Sequence, residues 1–339
     1  MSTVDITKGK IPSYGPYAFG RTLALIIRYQ YELILAGVIV LVTLALGIAS
    51  NGLFWRPVNI SQILVDVAIT GIPAIGMTLV IITGGIDVSI GSLVGLTAAV
   101  IGVTYQAGIG AVPSILFGIL AATFGGLINA TLITRANVPP IITTLGALSI
   151  WRAVVYALLG GNWISNLPPS LPNIFIFDSI AGRVPYSFVG ALAVILLFAW
   201  AAGKRPFFRS VYAIGNNEEA ASMQGINVKR IKFVLYVFMG LLAGLAGILL
   251  LAQSPVVQAT NGSGFELQVI AAVVVGGARI QGGKGTIVGS FLGALLVELV
   301  QDGVILFHIQ AFWQSVVLGA MILIAVAVGL RGGKKEWVV

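Results

Sequence analysis

Ten apolar runs divide the chain, at about 33–50, 60–82, 89–107, 112–133, 141–159, 184–202, 233–252, 267–277, 285–301 and 311–329. Nine of them hold at least seventeen residues, and about 20 apolar residues carry an α-helix across a bilayer core. Lipid offers no water to backbone N–H and C=O groups, so runs of this kind must close their hydrogen bonds internally, as helices. Composition agrees: 58% of residues are hydrophobic and only 9% are charged, whereas a water-facing surface needs roughly 25% charged residues. The expected fold is an all-α integral membrane protein of about ten transmembrane helices, some short or broken. The run at 267–277 is too short to span alone and reads as a half-helix or a partly unwound segment. The 43 glycines suit close helix–helix approach in lipid. Cysteine is absent, which excludes a disulfide framework and thiol chemistry. No cleavable signal peptide is expected, because the first apolar run is too long for such a segment.

Basic residues then give the sidedness. With the amino terminus inside and ten crossings, sixteen Lys and Arg fall in inner segments. Only Arg56 and Arg183 fall in outer loops, and Arg152 lies within a span. That asymmetry places both termini in the cytoplasm. Residues 1–32 read as a cytosolic segment with an interfacial helix from about Tyr17 to Glu32, 33–330 as the transmembrane domain, and 331–339 as a cytosolic tail. The longest outer loop, 160–183, carries Pro168, Pro169 and Pro172 and reads as an irregular cap.

The long polar interruption of the second half, 203–232, holds six Lys and Arg. Within it Asn217 precedes Glu218 and Glu219, and Gly225 follows Ala220, Ala221, Ser222 and Met223. An Asn N-cap, acids in the first turn and a closing Gly predict a short surface helix. Held between basic flanks, such a helix is either a docking lever for a soluble partner or an ordinary cytosolic loop. A second echo links Thr83–Gly95 with Val275–Gly289: each ends a helix with Gly-Gly, turns, and starts another through small residues. Duplication and a shared liking of turns for glycine both account for it.

Chemistry is sparse. His308, the only histidine, reads as a loop residue, and no metal constellation is visible. The run Gly282, Gly283, Lys284 continues with Gly285 where a phosphate loop requires Ser or Thr, so the chain is not expected to hydrolyse nucleotide or to act as an enzyme. A charge at the bilayer centre costs about 2.5–3.5 kcal/mol on insertion scales, which singles out Asp66, Arg152 and Glu298. Either carboxylate is placed to pair with Arg152 or to snorkel to the outer interface. Neutral polar residues within spans, among them Thr78, Asn129, Thr143, Thr144 and Tyr156, together with Trp151, are candidates to hydrogen-bond and stack on an uncharged, hydroxyl-bearing solute. Helix–helix hydrogen bonding is the alternative use of such residues.

Four stretches carry a resemblance: GMTLVIITGGIDVSIGSLVGLT (76–97), GLINATLITRANVPPIITTLGALSIWRAV (126–154), AIGNNEEAASMQGINVKRIKF (213–233) and AAVVVGGARIQGGKGTIVGSFLGALLV (271–297). In this order they resemble the ribose-type sugar permeases of the ABC importers, over roughly 33–330. The resemblance implies a permease in the bacterial cytoplasmic (inner) membrane, paired with a second copy or a paralogue. It implies two cytosolic ATPase domains, which hold the ATP and Mg, so that this chain binds no cofactor of its own. It also implies a periplasmic or lipid-anchored sugar-binding protein; no nucleic acid is involved. The segment at about 213–226, matching at Gly215, Asn216, Ala220, Ala221 and Gly225 and including Asn217 and Glu218, is then the coupling helix received by the ATPase. A bulky charged residue at Gly215 or Ala221 is expected to abolish transport with the membrane fold intact. The motif of Gly84, Gly85, Asp87 and Ser89 becomes a helix-end turn near the ATPase face. The sugar stays open among ribose, xylose, galactose, arabinose, rhamnose and the autoinducer-2 signal. The rival reading is a secondary carrier working alone, which a midplane carboxylate or cation site would favour.

Overall fold

A computed structural model describes residues 30–167, 179–180 and 184–332, with side chains described to residue 327. The interfacial helix expected near 17–32 and most of the cap at 160–183 lie largely outside these residues. Each apolar run forms one helix: α1 (Gln30–Ala49), α2 (Pro57–Ile82), α3 (Ile90–Gln106), α4 (Ala111–Thr134) and α5 (Pro140–Leu159) in the first half. After a two-residue antiparallel pairing of β1 (Ser179–Ile180) with β2 (Val184–Pro185), α6 (Tyr186–Lys204) follows. The polar stretch then yields α7 (Pro206–Asn216) and α8 (Glu218–Met223). The last apolar helices are α9 (Val228–Gln253), α10 (Phe265–Val275), α11 (Ile287–Leu306) and α12 (Phe312–Gly332). Among the described residues seven helices are long and apolar enough to cross a membrane; α3, α10 and the described part of α12 are shorter. At eleven residues α10 is about 16 Å long, about half of a 30 Å hydrocarbon core, so the short run is a half-helix.

Helix α2 is the hub. From Val67 to Ile82 every residue is buried, and α9, α11, α10 and α6 pack around it. Lipid tails are as apolar as leucine, so such packing needs close approach as its source of attraction. One such crossing joins α4 to α9. A Cβ on Gly240 would lie 2.6 Å from the Ala122 carbonyl oxygen and 2.9 Å from Gly126 Cα, and one on Gly126 would lie 2.6 Å from the Tyr236 carbonyl oxygen. Only glycine at both positions lets these backbones touch.

The polar stretch departs from its sequence reading, which had one short helix there. Pro206 opens α7 at a first-turn position that needs no N–H. Its Phe208, Val211 and Ile214 recur every three residues and are buried, Phe208 edge-on to Phe198 of α6 with ring centroids 6.4 Å apart. The charges had masked this stripe. Helix α9 likewise begins at Val228, five residues before its apolar run, because Asn227 caps it by accepting from the Arg230 N–H at 3.0 Å. Lys229, Arg230 and Lys232 therefore lie on its first turns. For the expected domain borders, the first helix begins at Gln30, slightly before residue 33.

At the α4–α9 crossing, Gly240→Ala is expected to cost about 1–3 kcal/mol, the usual range for overpacking, and Gly240→Leu to prevent folding. Gly190→Ala in α6, where a Cβ meets nothing within 4 Å, should instead gain about 0.5–1 kcal/mol of helix propensity. Thermal midpoints in detergent would order the three variants.

Candidate functional site

Between α4 and α5 lies a cavity of about 280 Å³, near the roughly 300 Å³ lower end of small-molecule sites. Thr143, Ala147, Ile150 and Trp151 line it from one face of α5, at the spacing that a helical repeat gives. Ile128, Asn129 and Leu132 line it from α4. The walls are apolar, and three buried polar atoms of the lining residues have no hydrogen-bond partner among the described residues: Asn129 Oδ1, Thr143 Oγ1 and Trp151 Nε1. They comprise an acceptor, a hydroxyl and a donor. Left unpaired, each buried group costs about 1–3 kcal/mol; all three atoms lie beneath the apolar lining, with almost none of their surface open to the cavity.

Next to the cavity is the turn of Thr83–Ser89, between α2 and α3. Ser89 immediately precedes α3, yet its hydroxyl does not cap that helix. It donates to Asp87 Oδ1 at 2.6 Å, alongside the Ser89 N–H at 2.9 Å, and accepts from Asn129 Nδ2 at 2.8 Å. Thr144 Oγ1 donates to the Ile86 carbonyl at 3.1 Å. Both cavity helices are thus hydrogen-bonded to one turn. Asp87 is completely buried, and burial pushes its carboxyl up to about 6 against the lowering effect of the Ser89 and Asn129 hydrogen bonds. Asp87 Oδ2 and the Tyr236 hydroxyl are unpartnered among the described residues. Gly85 makes room for that phenol: a Cβ there would sit 2.4 Å from it.

On its other side the end of α2 meets the polar segment. The Gly283 N–H donates to the Ile82 carbonyl at 2.9 Å, and Tyr212 of α7 donates through its hydroxyl to the Gly285 carbonyl at 2.7 Å. Gly215 is wedged into this joint, where a Cβ would fall 1.8 Å from the Ile82 carbonyl oxygen. Asn217 caps α8 by accepting from the Ala220 N–H at 2.9 Å, and Gly225 turns the chain at φ +82°. Ala221 faces inward, buried with Ile214 and Val228, while Glu218 pairs with Lys232 at 2.6 Å. Asn216, Ala220, Ser222 and Met223 are exposed, Met223 at 79%. The expectation that Gly215 and Ala221 variants would spare the fold needs correction, since both are internal packing positions of the segment.

The remaining sequence candidates separate. Thr78 is buried between α2 and α11, its Oγ1 2.5 Å from the Ala74 carbonyl and 2.7 Å from Ser290 Oγ. Tyr156 is half exposed farther along α5, outside the cavity lining. The two carboxylates do not meet Arg152. Glu298, buried, accepts from Thr70 Oγ1 at 2.6 Å and Gln268 Nε2 at 2.7 Å, and Asp66 accepts from Gln253 Nε2 at 2.6 Å. Arg152 instead donates through Nη1 to the carbonyls of Ala259 and Asn261, both at 2.7 Å, and so ties α5 to the loop before α10. Sequence reasoning passed over Ser89 as a partner of Asn129, and over Glu266, which begins α10 and acts electrostatically on Arg152. No signal linked residues 40 positions apart; only the glycine-bearing crossing brings them together.

Among the described residues, seven helices long and apolar enough to cross a membrane, packed about a buried α2, make up an integral membrane protein. Its family is shown by comparison: residues 59–326 match the family described as the permease component of the branched-chain amino acid transport system, and the chain belongs to that family. It is 38% identical over 279 residues to the ribose import permease protein of Bacillus subtilis (strain 168), covering 81% of this chain and 86% of that one. It is 37% identical over 252 residues to the autoinducer 2 import system permease protein of Yersinia pseudotuberculosis serotype O:1b (strain IP 31758), covering 74% and 71% of the two chains. No solved structure matches it.

Replacing Arg152 by Met removes two charge-assisted hydrogen bonds, each worth about 1.5–3 kcal/mol. Amide exchange at residues 256–262 is expected to speed up at least about tenfold, a factor equivalent to 1.4 kcal/mol, in exchange–mass spectrometry of the detergent-solubilised protein. Unaltered protection there would mean that Arg152 does not hold the loop.

Proposed function

We propose that this chain is the membrane-spanning subunit of an ATP-driven importer of the ABC type, which passes a monosaccharide or a similar hydroxyl-bearing solute into the cytoplasm. The observation that carries the reading is the match of residues 59–326 to a family of transport-system permeases, on helices that leave an apolar cavity between α4 and α5. The names of the relatives, for ribose and autoinducer 2 import, point the same way. The chain works as a dimer with a second copy or a paralogue, in the bacterial inner membrane, with both termini and the α7–α8 segment on the cytoplasmic side. Two ATPase domains hold Mg–ATP and receive α8. A sugar-binding protein delivers solute at the opposite face, near the loop that Arg152 ties down. ATP binding draws the two α8 segments together and favours one orientation of the permease over the other, a population shift driven by different contacts in the two states.

The docking face follows from exposure. Glu219 and Met223 project outward, whereas Ala221 points inward. A stand-alone, ion-coupled carrier is the second reading, and buried Glu298 and half-buried Asp66 are the residues that favour it. Both carboxylates receive neutral amide or hydroxyl donors, an arrangement that holds helices together without an ion.

Reconstitution in nanodiscs with the ATPase and the binding protein, over a panel of monosaccharides, tests the proposal. ATP hydrolysis is expected to rise with one sugar and only with the binding protein present. Met223→Glu should weaken retention of the ATPase at least tenfold, with the thermal midpoint of the permease held. Sugar flux through proteoliposomes containing this chain alone, without ATP, would establish the carrier instead.

A further inference from the structure

Two cavities meet at the turn between α4 and α5. The apolar one lies between the helices, with Ile128, Leu132, Ile142, Ile150 and Trp151 among its walls. Its polar atoms are beneath that lining, so a sugar held there would give up its hydrogen bonds to water and find few in return. A hydrocarbon chain gives up nothing. Leu132, Ile142 and Ile150 are exposed, so the cleft opens sideways from the bundle. From Ile142 to Trp151 α5 rises about 14 Å, close to one leaflet's share, about 15 Å, of the hydrocarbon core. The second cavity, about 210 Å³, shares Val138 with the first. Thr134, Pro140, Glu218, Lys229 and Lys232 are among the residues that line it. It sits where three spanning helices end or begin, α4 at Thr134, α5 at Pro140 and α9 at Val228, the level at which lipid headgroups lie. Lys229 and Lys232, three residues apart, share one face of α9. Lys232 is taken by Glu218 at 2.6 Å. Lys229 is exposed, and no carboxylate among the described residues pairs with it. Arg135, next to Thr134, adds a positive charge at the same end, its guanidinium 5.8 Å from the Phe233 ring centre.

We infer that the joined cavities form a binding site for an anionic phospholipid, whose headgroup phosphate meets Lys229 and whose acyl chain lies in the cleft between α4 and α5. Basic pockets between spanning helices attract anionic headgroups by charge, and the cleft supplies what a headgroup alone cannot use. A neutral lipid fills the cleft and leaves Lys229 unpaired; free phosphate meets Lys229 and leaves the cleft unfilled. An anionic phospholipid does both. Its chain gives the facing walls of α4 and α5 the atomic contacts that a gap denies them. Its headgroup lies against the first turn of α9 and against Glu218, the first residue of α8. One lipid therefore holds together the cleft helices and the base of the α7–α8 segment. The site does not depend on the importer reading, since it needs only three spanning helices and the residues at their ends.

Native mass spectrometry of the full chain in detergent, titrated with phosphatidylglycerol, phosphatidylcholine or inorganic phosphate, tests the headgroup. Phosphatidylglycerol is expected to bind at least about tenfold more tightly than phosphatidylcholine, a factor equivalent to 1.4 kcal/mol. Lys229→Gln should bring the two lipids within twofold of each other. Lys204→Gln, an exposed lysine that instead stacks on Trp200, should keep the preference. Phosphatidylglycerol with brominated acyl chains tests the cleft, because bromine quenches a tryptophan that it touches and Trp151 is in the wall. The share of quenching that Lys229→Gln removes should also be missing in Trp151→Phe. Equal affinity for the two lipids, or a preference that survives Lys229→Gln, would overturn the inference. Competition by inorganic phosphate at the lipid's own concentration would reduce the site to an anion site, and Lys229-dependent quenching that persists in Trp151→Phe would put the chain outside the cleft; either result also overturns it.

Discussion

Touching backbones at Gly126 and Gly240 fix much of what this protein presents. In water, two helices are driven together by the surface they hide; in lipid that drive is missing, and close atomic contact must supply the attraction. Where α4 crosses α9, a Cβ on either glycine would run into main-chain atoms of the other helix. The contact places Asn129 three residues after Gly126, and Tyr236 four residues before Gly240. Those two side chains flank the turn of residues 83–89, one bonded to Ser89, the other beside Gly85 and Asp87.

Polar groups are distributed along the bundle according to what they can bond. In the joint between α2, α7 and the 279–285 turn, backbone groups do most of the bonding, because glycines leave no side chain in the way. Around the cavity, Asn129 of α4 and Thr144 of α5 are hydrogen-bonded to the turn, while Asn129 Oδ1, Thr143 Oγ1 and Trp151 Nε1 are buried and unpartnered among the described residues. Beyond it, Glu298, Asp66 and Arg152 each find neutral partners on other helices or on loop carbonyls. These charged side chains thus serve as ties between helices and loops.

The α7–α8 segment shows how a short helix can be both anchored and exposed. Residues 206–216 bury one apolar stripe, and Ala221 adds a further buried contact, so α8 cannot move without moving α7. Its opposite side carries Met223 and the acids of the first turn. A small surface helix standing free would transmit little. One seated against Ile82 and Gly283 through a glycine bears on the hub helix itself.

Much of this was legible in the chain. Each of ten apolar runs became one helix, since a backbone without water has no other way to satisfy its hydrogen bonds. The Asn217 cap and the Gly225 stop were written locally and appear as read. The short run at 267–277 gave a short helix for the same reason. What tertiary structure alone decided was the partnering. The apolar stripe of α7 was hidden among charges until α6 gave it something to cover. Arg152 went to loop carbonyls and not to Asp66 or Glu298, because helix rotation decides which side chains meet and sequence distance does not. Of the polar residues within spans, Asn129, Thr143 and Trp151 gathered at one cavity while Thr78 was spent between helices. Local composition determined where the chain is helical and where it turns; which side chains met, and which buried atoms were left unpaired, depended on how closely the helices could approach.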